Sequence, residues 1–178
     1  KTMKNHRPSK DSYYLGIARQ VGMRSTCYRN KMGALIVRGD QIVSTGYIGA
    51  PRKTKDCFER EECLRDKLGI PHGHRYEVCR SVHAEQNAII NAARAGVSLF
   101  GGDMFLYLES AKTSQPLDAF PCFLCKRAII NAGLDRFVCS TKDGGVKVFK
   151  VTDWVNDWQK KDIVDDEYKY GDGRAVDK

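Results

Sequence analysis

Ser81-Val82-His83-Ala84-Glu85-Gln86-Asn87-Ala88-Ile89-Ile90 is answered downstream by Pro121-Cys122-Phe123-Leu124-Cys125, and these two stretches organise the chain. The first opens a helix expected over His83–Ala95 and ended by Gly96. The second places Pro121 at the first position of a helix running through Asn131 and closed by Gly133, since proline suits a helix start and glycine the residue past its end. A strand follows each helix, at Met104–Leu108 and at Arg136–Ser140. Upstream, Ser9 or Asp11 caps a first helix with Tyr14, Ile17, Ala18 and Val21 at helical spacing, ended near Gly22. Gly33–Val37 and Gln41–Tyr47 read as a hairpin about the turn Arg38-Gly39-Asp40. Beyond the Thr141–Gly145 turn, Val146–Val151 is a further strand. A last helix near Thr152–Lys161 has Thr152 as its cap and Trp154, Val155 and Trp158 on one face. Strands alternating with helices predict a three-layer α/β domain with a mixed sheet. With no repeat or linker, residues 1–178 read as a single domain.

Composition is that of a soluble globular chain, at 42% hydrophobic and 29% charged residues. Lysine and arginine number 30 against 22 acidic residues, a formal charge of +8. Much of the basic surplus lies in the first third, including Lys1, Lys4, Arg24, Arg29, Lys31, Arg52 and Lys53, whereas Asp162, Asp165, Asp166 and Glu167 cluster near the end. That surplus suits an anionic partner, a nucleotide phosphate or a nucleic acid, as well as a plain solvated surface. No apolar run approaches the roughly 20 residues that span a bilayer, so no membrane partner is expected. The basic start lacks the apolar segment of a secretory leader. Seven cysteines, an odd number, read as metal ligands in a reducing cytoplasm rather than as a disulfide framework.

His83, Cys122 and Cys125 supply three soft ligands, one short of a closed tetrahedral zinc site, which leaves a position for water. Glu85, two residues from the histidine, is placed as the proton-transfer group beside such a site and not as a ligand. His83 and Glu85 converge only near the open first turn of their helix, so two helix N-termini meet at one metal with free backbone N–H groups. The Ala84 N–H is the candidate donor to a substrate carbonyl. A structural zinc knuckle, or a core histidine beside buried cysteines, is the competing interpretation. The joint pattern, each half opening a helix, favours catalysis.

His-x-Glu with Pro-Cys-x-x-Cys is a recognised signature of zinc-dependent deaminases. The chain resembles the cytidine and deoxycytidylate deaminase family over most of residues 10–160, through Arg24-Ser25-Thr26-Cys27, Gly33–Val37, Gly46-Tyr47-Ile48-Gly49-Ala50-Pro51, His83–Ile89, Ile129–Gly133 and Asp153-Trp154-Val155. The resemblance, strongest to the deoxycytidylate branch, implies a five-stranded sheet flanked by helices and zinc on His83, Cys122 and Cys125. It implies oligomers, and hydrolytic deamination of a cytosine nucleotide such as dCMP. One departure stands out: Ile48 replaces the asparagine that usually helps hold the deoxyribose, so allosteric control by nucleoside triphosphates is not carried over. A substrate phosphate calls for cationic or backbone donors, and Arg24, Arg29, Lys31, Arg52 and Lys53 flank the motif loops, with Arg24 and Arg29 the named candidates.

Some phage members of the family resemble this chain in having cysteines at the positions of Cys27 and Cys57, where they bind a second, structural zinc. Cys63 and Cys79, or His72 and His74, would complete such a site and order the long polar stretch Gly49–Arg80. Cys139 reads as a core residue of its strand. Two other functions fit the zinc pattern: deamination of another base, nucleoside or RNA, and a non-enzymatic zinc-stabilised module. The chain lacks the basic, aromatic-interleaved stretch that stacks splayed bases, which makes nucleic acid the less favoured partner.

Overall fold

The computed structural model describes residues 7–71 and 74–162. His72, Lys1, Lys4, Asp165, Asp166 and Glu167 lie outside them. Five strands form one sheet in the order β2-β1-β3-β4-β5. These are β1 (Asn30–Arg38), β2 (Gln41–Tyr47), β3 (Asp103–Ser110), β4 (Arg136–Ser140) and β5 (Val146–Lys150). β3 and β4 run parallel, and every other pairing is antiparallel. The β1–β2 turn holds Gly39 and Asp40 at φ of 57° and 65°, the two left-handed residues of a hairpin loop matched to strand twist.

Helix α1 (Lys10–Gly22) begins where Ser9 Oγ accepts the Ser12 N–H at 3.1 Å. Its Tyr14, Leu15 and Ala18 cover Leu35, Val37, Phe105 and Val138 on one face of the sheet. On the other face, α3 (Ala84–Arg94), α4 (Phe123–Asn131) and Trp154 of α5 (Val151–Lys160) pack over Ala34, Ile36, Met104, Leu106, Phe137 and Cys139. The α/β/α layering and the mixed sheet are those expected from the sequence. Cys139 is a core residue, with its thiol pushed up to about 12 by burial.

Two glycines set how closely helices approach the sheet. A Cβ on Gly33 would stand 2.1 Å from the Ala18 carbonyl oxygen in α1. One on Gly46 would stand 2.3 Å from the Ala88 nitrogen in α3. Each lies far inside van der Waals contact, so only glycine permits these layer spacings.

Several boundaries differ from the sequence expectations, among them the starts of two helices. Helix α4 starts at Phe123, because Cys122 has the extended backbone of a cap (φ −69°, ψ 165°) and Pro121 precedes it. Helix α5 starts at Val151, so Thr152 lies in its first turn and is not its cap. There, β5 ends at Lys150 and the Val151 N–H bonds the Asp135 carbonyl at 2.9 Å, turning the chain one residue early. The long polar stretch Gly49–Arg80 contains a helical turn α2 (Leu64–Lys67) and a 3-10 turn at Tyr76–Val78. Its ends are tied by a Gly49–Val82 bridge, and its interior by ion pairs of Asp66 with Arg29 and of Glu62 with Arg80. No helix among the described residues is long and apolar enough to cross a membrane.

Candidate active site

The N-termini of α3 and α4 meet at one point. His83 caps α3 with extended backbone, and Cys122 does the same for α4. Cys125, one turn into α4, and Ala84 and Glu85, at the start of α3, follow from those caps. The His83 N–H donates to Gln86 Oε1 at 3.3 Å, which holds the first turn of α3. Pinned this way, His83 Nδ1 lies 3.5 Å from Cys122 Sγ and 3.4 Å from Cys125 Sγ.

These separations can be tested against a metal. Tetrahedral zinc with sulfur at about 2.3 Å and nitrogen at about 2.0 Å places its ligands roughly 3.5 Å apart, which the triad matches. Among the described residues, His83, Cys122 and Cys125 form the one His/Cys/acid group whose ligand atoms all lie within 4.8 Å of one another. The donors are also electrostatically prepared. Hydrogen bonding from Cys125 and His83 draws Cys122 down to about 4 against its burial. Cys125, facing that thiolate and buried, is pushed well up. The pair thus keeps one proton, which a cation would displace. Burial disfavours the His83 cation, but Cys122 and Glu85 outweigh it and raise its pKa. Soft donors at these spacings fit zinc.

Glu85 is 2% exposed, and its Oε2 is buried without a hydrogen-bond partner. Desolvation raises its pKa, which favours the protonated carboxyl and suits it to carry a proton. An orphaned carboxyl oxygen beside three metal donors is a costly arrangement for a folded chain unless a ligand or water engages it.

A cleft opens over this centre, lined among others by His83, Glu85, Cys122, Asn30, Ile48 and Asp118. Ile48 therefore does face the site. Arg29 lines the cleft as well, whereas Arg24 does not. Arg24 follows the end of α1, where its backbone N–H bonds Val21, and its side chain projects into solvent. Arg52 is likewise spent elsewhere, donating to Asn91 Oδ1 at 2.7 Å on the outside of α3. Ala84 is fully buried as the first residue of α3, between two lining residues.

Cys27, Cys57, Cys63 and Cys79 reach the same cleft. The Cys27 sulfur accepts N–H donors from Asn30 and Arg29, and Cys57 accepts one from the Arg80 guanidinium. Their sulfurs do not draw within 4.8 Å as a group, and His74 does not join them on the cleft wall. Arg65 and Tyr76 also line the cleft; they sit in an aperiodic segment where no local pattern marks them. All seven cysteines are free thiols.

The zinc-binding region of cytidine and deoxycytidylate deaminases matches residues 8–141. The chain belongs to the cytidine and deoxycytidylate deaminase family. Relatives in this family include the deoxycytidylate deaminases of Schizosaccharomyces pombe and Saccharomyces cerevisiae. They are 33% and 34% identical, over 76% and 75% of this chain. The chain spans 38% of the length of each of these two fungal relatives. Against the deoxycytidylate deaminase of Mycobacterium phage D29 identity is 34%, over 74% of this chain and 94% of the relative. Among solved structures, the dCMP deaminase of cyanophage S-TIM5 in complex with dCMP and dUMP superposes with a TM-score of 0.57. It is 24% identical, over 88% of this chain and 94% of that one, which establishes a shared deaminase fold.

Proposed function

We propose that the chain is a zinc-dependent hydrolase that deaminates a cytosine nucleotide, most simply dCMP to dUMP, with water consumed and ammonia released. The observation that carries this reading is the unpartnered Glu85 Oε2, buried beside His83, Cys122 and Cys125 at the floor of a cleft. Relatives named deoxycytidylate deaminases supply the substrate. The S-TIM5 enzyme, whose fold this chain shares, carries dCMP and dUMP. Held on the three donors, zinc supplies the Lewis acidity that brings a water's pKa toward neutrality. The chain's own groups do the rest. Glu85 takes a proton from the attacking water at Oε2 and passes it to the ring nitrogen; it then takes the remaining proton from the hydroxyl left on the ring carbon and delivers it to the amine, which departs as ammonia. The Ala84 N–H at the head of α3 steadies the base carbonyl, and the cleft walls exclude bulk water. Asn30, on the same wall as Ile48, offers the polar group that Ile48 lacks toward the sugar.

Four cysteines on one cleft wall, two of them already accepting N–H donors, support a second, structural zinc on Cys27, Cys57, Cys63 and Cys79. Its binding would draw the sulfurs together. Cys57→Ser is expected to lower zinc content from two ions per chain to one with deamination retained, as read by elemental analysis; unchanged content removes the second site. The reading further places one deaminase domain in the cytoplasm as a homo-oligomer.

The deciding experiment is ammonia release from purified protein offered dCMP, CMP, deoxycytidine, cytidine and adenosine. Preference for dCMP is expected. Silence on all five with zinc bound would reject the reading.

A further inference from the structure

The sheet has two outer strands, and the chain closes off only one of them. At the β2 edge, Asn87 Nδ2 donates to the Tyr47 carbonyl at 2.8 Å and Asn91 Nδ2 to the Thr45 carbonyl at 2.7 Å. These carbonyls belong to alternate residues of the strand, so side-chain amides of α3 take backbone acceptors that a further strand would need. At the other edge, β5 pairs with β4 and, among the described residues, with no other strand. The far side of such a strand is a row of backbone donors and acceptors on which another strand can build. Val146 and Val148 enlarge that edge, being 42% and 43% exposed. They alternate with Phe149, which packs with Trp154 on the opposite face of the sheet.

The sequence of β5 identifies what pairs there. An exposed edge takes an extended segment through main-chain hydrogen bonds, and Val146-Lys147-Val148-Phe149-Lys150 is complementary to an antiparallel copy of itself. A twofold axis perpendicular to the sheet keeps opposed side chains on one face, so it falls on a residue and not between two. Centred on Val148, the whole strand pairs: Val148 with its counterpart, Val146 with Lys150, and Lys147 with Phe149. Lysine then opposes an aromatic ring and not another lysine. Within one chain Lys147 Nζ already lies 5.7 Å from the Phe149 ring centroid, and contact between a cation and a ring is favourable. Centring on Lys147 would set like charges directly opposite each other. Centring on Phe149 would require Val151, whose N–H is spent on the Asp135 carbonyl at the start of α5.

We propose that β5 is a self-association edge: two copies of the chain pair β5 to β5, antiparallel about Val148, and join their sheets into one. This rests on the homo-oligomer part of the functional reading, to which it gives a face, and not on the deaminase chemistry.

Cross-linking of the zinc-loaded protein tests the register. Opposed side chains on paired strands have Cβ atoms about 4.5–5.5 Å apart, near the span of a disulfide. Val148→Cys should therefore yield a covalent dimer in air-saturated buffer, mapped to position 148 by peptide mass spectrometry. Val146→Cys should not, because its counterpart lies four residues along the pair, roughly 13 Å away. Sedimentation velocity reads the same contact without a bond. Val148→Glu sets two carboxylates together at the axis and should lower the mass of the assembly, with zinc content and Tm retained. Ile42→Glu, at an exposed position on the closed edge, should leave the mass as it was. Cross-linking no faster for Val148→Cys than for Val146→Cys, or unchanged sedimentation of Val148→Glu, overturns the edge. A protein that is monomeric throughout overturns it together with the homo-oligomer reading, whereas an assembly that persists without the cross-link at 148 overturns the edge alone. A cross-link that forms only once residues 163–178 are trimmed would make that segment, and not a second copy, the occupant of β5.

Discussion

Under the proposed function turnover depends on Glu85, because it is the one group at the triad with an unspent carboxyl oxygen. Glu85→Gln keeps the volume and removes the proton carrier, so turnover is expected to fall about 10²–10⁴-fold. Zinc content should stay unchanged, since the proposed ligands are His83, Cys122 and Cys125. Ammonia release and elemental analysis on the same preparation check both halves. The triad and Glu85 were legible in the sequence because their spacing is local: one residue separates His83 from Glu85 and two separate Cys122 from Cys125. Arg65 was not legible. Its place in the cleft lining depends on Tyr76 and Pro71, and a lone arginine in a polar loop carries no sign of burial.

At the level of elements, the site depends on how closely α3 sits on β2. Gly46→Ala would drive a methyl group against the backbone of Ala84 and Ala88. Overpacking of this kind costs roughly 1–3 kcal/mol, and here the strained helix carries His83 and Glu85. A lowered Tm together with weakened zinc affinity is expected, read by calorimetry and metal competition; a fall in Tm with the zinc affinity intact would uncouple the two. The loop over the cleft responds to acid. Hydrogen bonds from Arg29 hold the Asp66 pKa down, and those from Lys67 and Arg80 do the same for Glu62. Carboxyls depressed in the folded state stabilise above their unfolded values and lose that contribution as pH falls through the folded ones. Amides of residues 56–70 and 74–80 should therefore lose hydrogen-exchange protection below about pH 4, ahead of β1 and β3. Element order and type were readable from periodicity, but cap positions were not. Pro121 and Thr152 both carry good start signals, yet Cys122 is held extended at its cap, and the bond from Val151 to Asp135 starts α5 early.

At the scale of the whole molecule, the sheet and its two apolar layers stand without the metal, while the metal joins two helix ends above one layer. Chelation is expected to lower Tm by several degrees without abolishing cooperative unfolding, because the core clusters under α1 and α3 are untouched. Collapse of far-ultraviolet circular dichroism on chelation would instead make zinc a condition of folding, as it is for small zinc modules. The alternation of strands and helices fixed the layers in advance, but the order β2-β1-β3-β4-β5 and the close glycine contacts are long-range facts that no local window contains. One further consequence concerns synthesis. His83 and Cys122 are 39 residues apart, so at about 5–20 residues per second a ribosome delivers the histidine roughly 2–8 s before the first cysteine. Helix α4, which connects the parallel strands β3 and β4, then waits for β4. Metal acquisition therefore waits until synthesis has passed Cys122 and β4, and a product stalled before Cys122 would withdraw no zinc at this site from the cell.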